Sequence, residues 1–121
     1  MGWNSWDCFA TTITEAQTRA TADVMAKKLA RVGYNILTVD IQWYEPNATG
    51  FDYRKDAKLA IDPFGRLIPA TNKFPSASGS RGFKPLADYV HHLGLKFGLH
   101  LMRGIPRQAV ANKIPIKGTP Y

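Results

Sequence analysis

At 121 residues the chain is long enough for one small domain with its own core, and a hydrophobic content of 45% excludes a disordered segment. The formal net charge of +7 raises a nucleic-acid partner, but the basic residues are scattered and no basic arm, zinc spacing or aromatic-basic RNA motif accompanies them, so none is expected. A lone Cys8 excludes an intrachain disulfide and a cysteine-based zinc site, and reads as a small core residue.

No stretch approaches the length of a transmembrane helix, and Met1 runs into Gly-Trp-Asn without a basic region and apolar stretch, so the chain reads as soluble, without a membrane partner. GWNSWD is read as a first strand ending at Trp6-Asp7. Thr14 and Gln17 form a capping-box pattern, Ala22, Met25, Leu29 and Val32 recur at helical spacing, and Gly33 fits a helix end. NILTVD, residues 35–40, follows as a buried strand of β-formers. From Ile41 to about Ser80, repeated Pro and Gly dissolve the pattern into a long βα loop. GFKPLADYVHHLGL restores a helical stripe at Phe83, Leu86, Val90 and Leu93, with Pro85 in its first turn. LKFGLHL, residues 95–101, alternates as a third strand, and the tail from Met102 is read as loop. His91 and His92 fall within the second helix and read as surface groups or as support behind a site.

Alternation of strand and helix implies an α/β fold with parallel strands joined by helical crossovers. In such folds ligands collect at the carboxyl ends of strands. Those ends carry Trp6, Asp40 and His100, with Arg103 just beyond: an aromatic ring, a carboxylate, an imidazole and a guanidinium. The set suits a polar ligand with one apolar face. Alternation places His100 with Gly98 and Lys96 on one side of its strand, and Leu95, Phe97, Leu99 and Leu101 on the other. In the first two strands Trp6 shares a face with Asn4 and Gly2, and Asp40 with Thr38 and Ile36. Core packing for Trp6, a capping role for Asp40 and a structural hydrogen bond for His100 stand beside this reading. No GxGxxG, Walker, HExxH or GxSxG motif occurs.

GWNSW, VDIQWYEP at 39–46, GRLIPATNKFPS at 65–76 and GFKPLADYVHHLGLKFGLHLMRGIPRQAV at 82–110 occur in this order. Together they resemble the amino-terminal part of glycoside hydrolase family 27, the α-galactosidase and α-N-acetylgalactosaminidase family of clan D. The resemblance implies a (β/α)₈ barrel, of which residues 1–121 would be the first three strands and two crossover helices. It implies retaining hydrolysis of terminal α-linked galactose or N-acetylgalactosamine by two Asp residues, with a carbohydrate as partner and no metal or organic cofactor. Those two Asp residues lie after the family's fourth and sixth strands, so none is placed in this chain. An inactive truncated product or a carbohydrate-binding fragment is the alternative.

By the same resemblance Trp6 is the apolar wall of the sugar pocket, Asp40 the first of two Asp residues gripping sugar hydroxyls, and Arg103 a further contact. The sequence departs from the family at Ile41, which replaces the second Asp, at Gln42, which replaces a Cys, and at His100, which replaces a Tyr. These changes direct altered recognition to the 4- and 6-positions of the sugar.

Overall fold

The computed structural model describes residues 1–121. Three parallel strands, β1 (Gly2–Asn4), β2 (Ile36–Val39) and β3 (Lys96–Leu99), lie in the order β1-β2-β3. Asn4 pairs with Thr38, and Thr38 with Gly98, which fixes the register across the sheet. A Cβ on Gly98 would stand 2.9 Å from Thr38 Oγ1, so a glycine there lets the second and third strands approach on that face.

Helix α1 (Trp6–Phe9) is one turn after β1. Helix α2 (Glu15–Val24) opens with the capping box expected from Thr14 and Gln17: the Thr14 hydroxyl accepts from Gln17 N–H, and Gln17 Oε1 accepts from Thr14 N–H at 2.9 Å. The chain continues through a wide turn at Met25–Leu29 and a tight one at Ala30–Val32, and Gly33 stops it at φ 91°. Helix α3 (Lys84–His92) crosses back to β3, with Leu86 and Val90 fully buried. Both crossover helices cover the face carrying Leu37 and Val39, which are also fully buried; Ile36 on the opposite face is exposed.

The long segment between β2 and α3 holds only a tight turn at Pro75–Ala77 and one bridge, Ile61 to Leu67. It is nonetheless pinned. Glu15 donates its N–H to the Lys73 carbonyl and accepts the Ser76 N–H on Oε2, at 2.9 Å each. Burial pushes the Glu15 carboxyl up, but that N–H and the Arg19 guanidinium outweigh it and hold the group below the usual carboxylate range. A chain of aromatic edges continues inward from the loop: Phe74 on Phe83 at 5.0 Å, and Phe83 on Trp43 at 5.1 Å and on Phe97 at 5.6 Å. No helix is long and apolar enough to cross a membrane.

Five expectations are corrected. The first strand ends at Asn4, not Trp6-Asp7, because Asn4 Oδ1 accepts the Trp6 N–H at 2.8 Å and turns the chain; Trp6 therefore shares no strand face with Asn4 and Gly2. The third strand stops at Leu99 and leaves Leu101 exposed. Leu29 and Val32 are exposed rather than core, since the helical period is lost after Val24. Cys8 is exposed, on the outer side of the single turn α1. The tail carries a helix, α4 (Arg107–Ala111), too short to show a hydrophobic period, whose Ala109 is buried.

Candidate functional site

Parallel register delivers the residues that follow each strand to one end of the sheet. Asp40 follows Val39, His100 follows Leu99, and the His100 N–H donates to the Val39 carbonyl at 3.0 Å, extending the ladder one step. Asp40 and His100 meet there, with His100 Nδ1 2.5 Å from Asp40 Oδ1. The same oxygen accepts the Ile41 N–H at 2.7 Å, and Asp40 Oδ2 accepts from Asn4 Nδ2 at 2.6 Å. The Asp40 N–H donates to Ser5 Oγ at 2.9 Å. Three donors thus converge on one carboxylate, each from a different part of the chain.

The arrangement fixes roles. Opposite a carboxylate oxygen, His100 Nδ1 serves as the donor, which leaves Nε2 as the free ring atom. Asp40 Oδ1 is taken by two donors, while Oδ2 holds one and keeps a lone pair for a ligand hydroxyl. The imidazole is half exposed and Asp40 nearly buried, so a ligand meets the ring first and the carboxylate edge behind it. Charge-assisted hydrogen bonds from hydroxyls to such a preorganised carboxylate are the stronger kind.

Trp6 is tied to this cluster through Asn4, whose Oδ1 accepts the Trp6 N–H while its Nδ2 holds Asp40. The indole is half-buried and lies edge-on to Phe51 at 5.7 Å. Asp40, His100 and, through Asn4, Trp6 are brought together. Arg103 is not: it is exposed and makes no hydrogen bond or ion pair within the chain. No group of three or more His, Cys, Asp or Glu side chains could hold a metal ion.

Sequence reasoning missed the residues that support the cluster. Trp43 donates its indole N–H to the His100 carbonyl at 3.0 Å, which fixes the end of β3. Asn4 and Ser5 were legible only as the small polar pair between two tryptophans. Beneath lies a buried polar group: Lys73 Nζ donates to the Thr11 carbonyl at 2.6 Å and the Gln42 carbonyl at 2.9 Å, and buried Glu45 takes Arg54 on Oε1. Gln42 Oε1 and Glu45 Oε2 are buried without a hydrogen-bond partner in the chain. Burial raises the Tyr44 phenol to about 12, and nearby charges add to it.

Lys73 gives the loop after β2 a pH-dependent anchor. Burial lowers its ammonium to about 8, opposed by the charge of Glu45. In the unfolded chain the same group titrates at about 10.5. Between these values the unfolded state binds a proton that the folded state lacks, so the lysine's contribution to stability rises with pH across that window. Below it, the penalty of a buried charge is felt in full. In thermal melts the whole protein is expected to gain Tm relative to its Lys73→Met variant as pH rises from about 8 to about 10. A difference that stays flat with pH would place the ammonium in contact with solvent.

No family model matches the chain. It is 41% identical to an α-galactosidase of Coffea arabica over 101 residues, which cover 83% of the chain and 22% of that relative. An α-galactosidase of Oryza sativa subsp. japonica is 38% identical over 116 residues, 95% of the chain and 23% of the relative. Among solved structures, a family 27 β-L-arabinopyranosidase of Geobacillus stearothermophilus superposes with a TM-score of 0.97 at 57% identity, over 99% of the chain and 28% of that protein. A second structure of that enzyme, with arabinose bound, superposes at 0.96. The chain spans about a quarter of the length of these relatives.

Proposed function

The chain belongs to glycoside hydrolase family 27, and from that premise we propose that it supplies the sugar-gripping part of a retaining α-galactosidase-like glycosidase. In this reading residues 1–121 are the amino-terminal part of a (β/α)₈ barrel, with residues 41–80 as its long βα loop. Asp40 and His100 hold hydroxyls of a terminal sugar, Trp6 offers an apolar face to its C–H groups, and Arg103 waits at the rim. The substrates are terminal α-linked galactosides or α-N-acetylgalactosaminides.

One observation carries the reading: the carboxylate after β2 is held by donors from the ends of both neighbouring strands, which preorganises it for a hydroxyl. By the family resemblance the nucleophile and the acid/base carboxylates follow the fourth and sixth strands of the barrel.

Ile41 favours a second substrate. Its side chain is apolar and buried where the family carries an Asp, so it cannot accept a hydrogen bond from an exocyclic hydroxyl. A β-L-arabinopyranoside presents the ring hydroxyls of an α-D-galactopyranoside without the hydroxymethyl group, and the Geobacillus relative is named for that sugar.

The test compares aryl α-galactoside with aryl β-L-arabinopyranoside hydrolysis by the whole protein. Turnover of either supports the glycosidase reading, and a kcat/KM ratio of about tenfold or more toward the arabinoside assigns the role of Ile41. Turnover of neither, with sugar still bound, leaves a carbohydrate-binding protein. The 121-residue chain alone is expected to hydrolyse neither and to self-associate, because Leu99, Leu101, Ile105 and Ile116 are exposed beside an open sheet edge. A monodisperse monomer by light scattering would contradict that.

A further inference from the structure

The loop after β2 is fastened on both sides of a three-residue span. Before it, the Gly50 carbonyl accepts the Thr11 N–H at 3.1 Å and the Thr11 hydroxyl at 2.6 Å. After it, Arg54 donates through Nε and Nη2 to Oε1 of Glu45, whose side chain is fully buried. A guanidinium paired with a buried carboxylate is a firm attachment, and the carboxylate has no other side-chain partner.

Between the fastenings the chain displays aromatic rings instead of sinking them. Phe51 is 63% exposed and Tyr53 is 52% exposed. Both stand beside the candidate site. The Phe51 ring lies 5.7 Å from Trp6 at an interplanar angle of 82°, and the Tyr53 hydroxyl lies 3.7 Å from Met102 Sδ, two residues beyond His100. The two anchors hold both rings at the carboxyl end of the sheet, one against Trp6 and the other against the segment that follows His100.

We propose that Phe51 and Tyr53 form an aromatic rim that receives the aglycone, the group attached to the terminal sugar, as a six-membered ring stacked on their faces. The proposal rests on the sugar-binding reading above and extends it outward from the glycone. Position argues for a ligand. Substrates collect at the carboxyl ends of parallel strands, and Phe51 packs edge-on against Trp6, the ring assigned to the sugar. Chemistry narrows the occupant: flat apolar rings, one tipped with a hydroxyl, match the C–H face of a pyranose or the face of an aryl group.

Calorimetric titration of the whole protein with three sulfur-linked probes on one glycone, which resist hydrolysis, tests this: the methyl thioglycoside, the phenyl thioglycoside and a thiodisaccharide. The parent is expected to bind one of the ring-bearing probes about five- to tenfold more tightly than the methyl thioglycoside. Whichever probe gains more names the source, aryl group or sugar. The double variant F51A/Y53A is expected to lose that preference and keep its methyl thioglycoside affinity within about twofold. If methyl thioglycoside binding falls too, F51L/Y53L, which keeps apolar volume without a flat face, decides: it must lose the preference alone. A preference absent from the parent, or retained by the variants, overturns the rim while leaving the glycone site intact. Failure of every glycoside to bind the parent overturns both.

Discussion

Asp40→Ala is expected to lower kcat/KM of the whole protein on its preferred aryl glycoside by about a hundredfold. Oδ2 keeps one lone pair for the sugar, and a charge-assisted hydrogen bond there is worth about 1.5–3 kcal/mol. Each 1.36 kcal/mol of transition-state binding is tenfold in rate, so the upper end of that range corresponds to about a hundredfold. Losing the carboxylate also strands three donors: the Asn4 amide, the Ile41 N–H and His100 Nδ1. Asp40→Asn is no gentler a substitution than its shape suggests. Its amide nitrogen would face the Asn4 Nδ2 donor, and Asn4 cannot flip without dropping the Trp6 N–H that its Oδ1 now accepts. Steady-state kinetics with a melt on each variant check this. More than about a tenth of the parent activity in Asp40→Ala would remove the carboxylate from the sugar grip.

Phe74→Ala is expected to destabilise the protein by about 4 kcal/mol, the range for truncating a fully buried aromatic residue. Phe74 is the point where the long loop enters the core, and it packs edge-on against Phe83. Phe83 in turn packs on Trp43, whose indole N–H holds the His100 carbonyl. The cavity therefore lies at one end of a chain of contacts that finishes at the site. Urea unfolding gives the stability, and the glycoside titrations give the effect on affinity. A loss below about 1 kcal/mol would mean that the loop closes over the vacancy and carries less of the core than its burial indicates.

What was legible in the sequence depended on the range of the interaction. The capping box at Thr14 and Gln17, the buried stripe of Leu86 and Val90, and the close of a helix at Gly33 are local devices, and each stands in the structure where its spacing placed it. Asp40 and His100 were found by a rule about strand ends, and the register brings them into contact. Elsewhere a distant partner decides. The first strand stops at Asn4 because that amide is shared between Trp6, two positions away, and Asp40, 36 positions away. The Lys73 link to Gln42 spans 31 residues, and nothing in the Pro- and Gly-punctuated loop signals it. Helix α4 failed to register because five residues complete too little of a helical period to reveal a face.

One account joins these parts: a carboxylate after the middle strand, oriented by an amide from the first strand and an imidazole from the third, receives the hydroxyls of a sugar. A crystal structure of the whole protein with its monosaccharide product bound measures this directly. Sugar hydroxyls are expected within hydrogen-bond distance of Asp40 Oδ2 and His100 Nε2, with the pyranose C–H face against Trp6. A sugar bound elsewhere, with the carboxylate of Asp40 enclosed by protein donors alone, would contradict it.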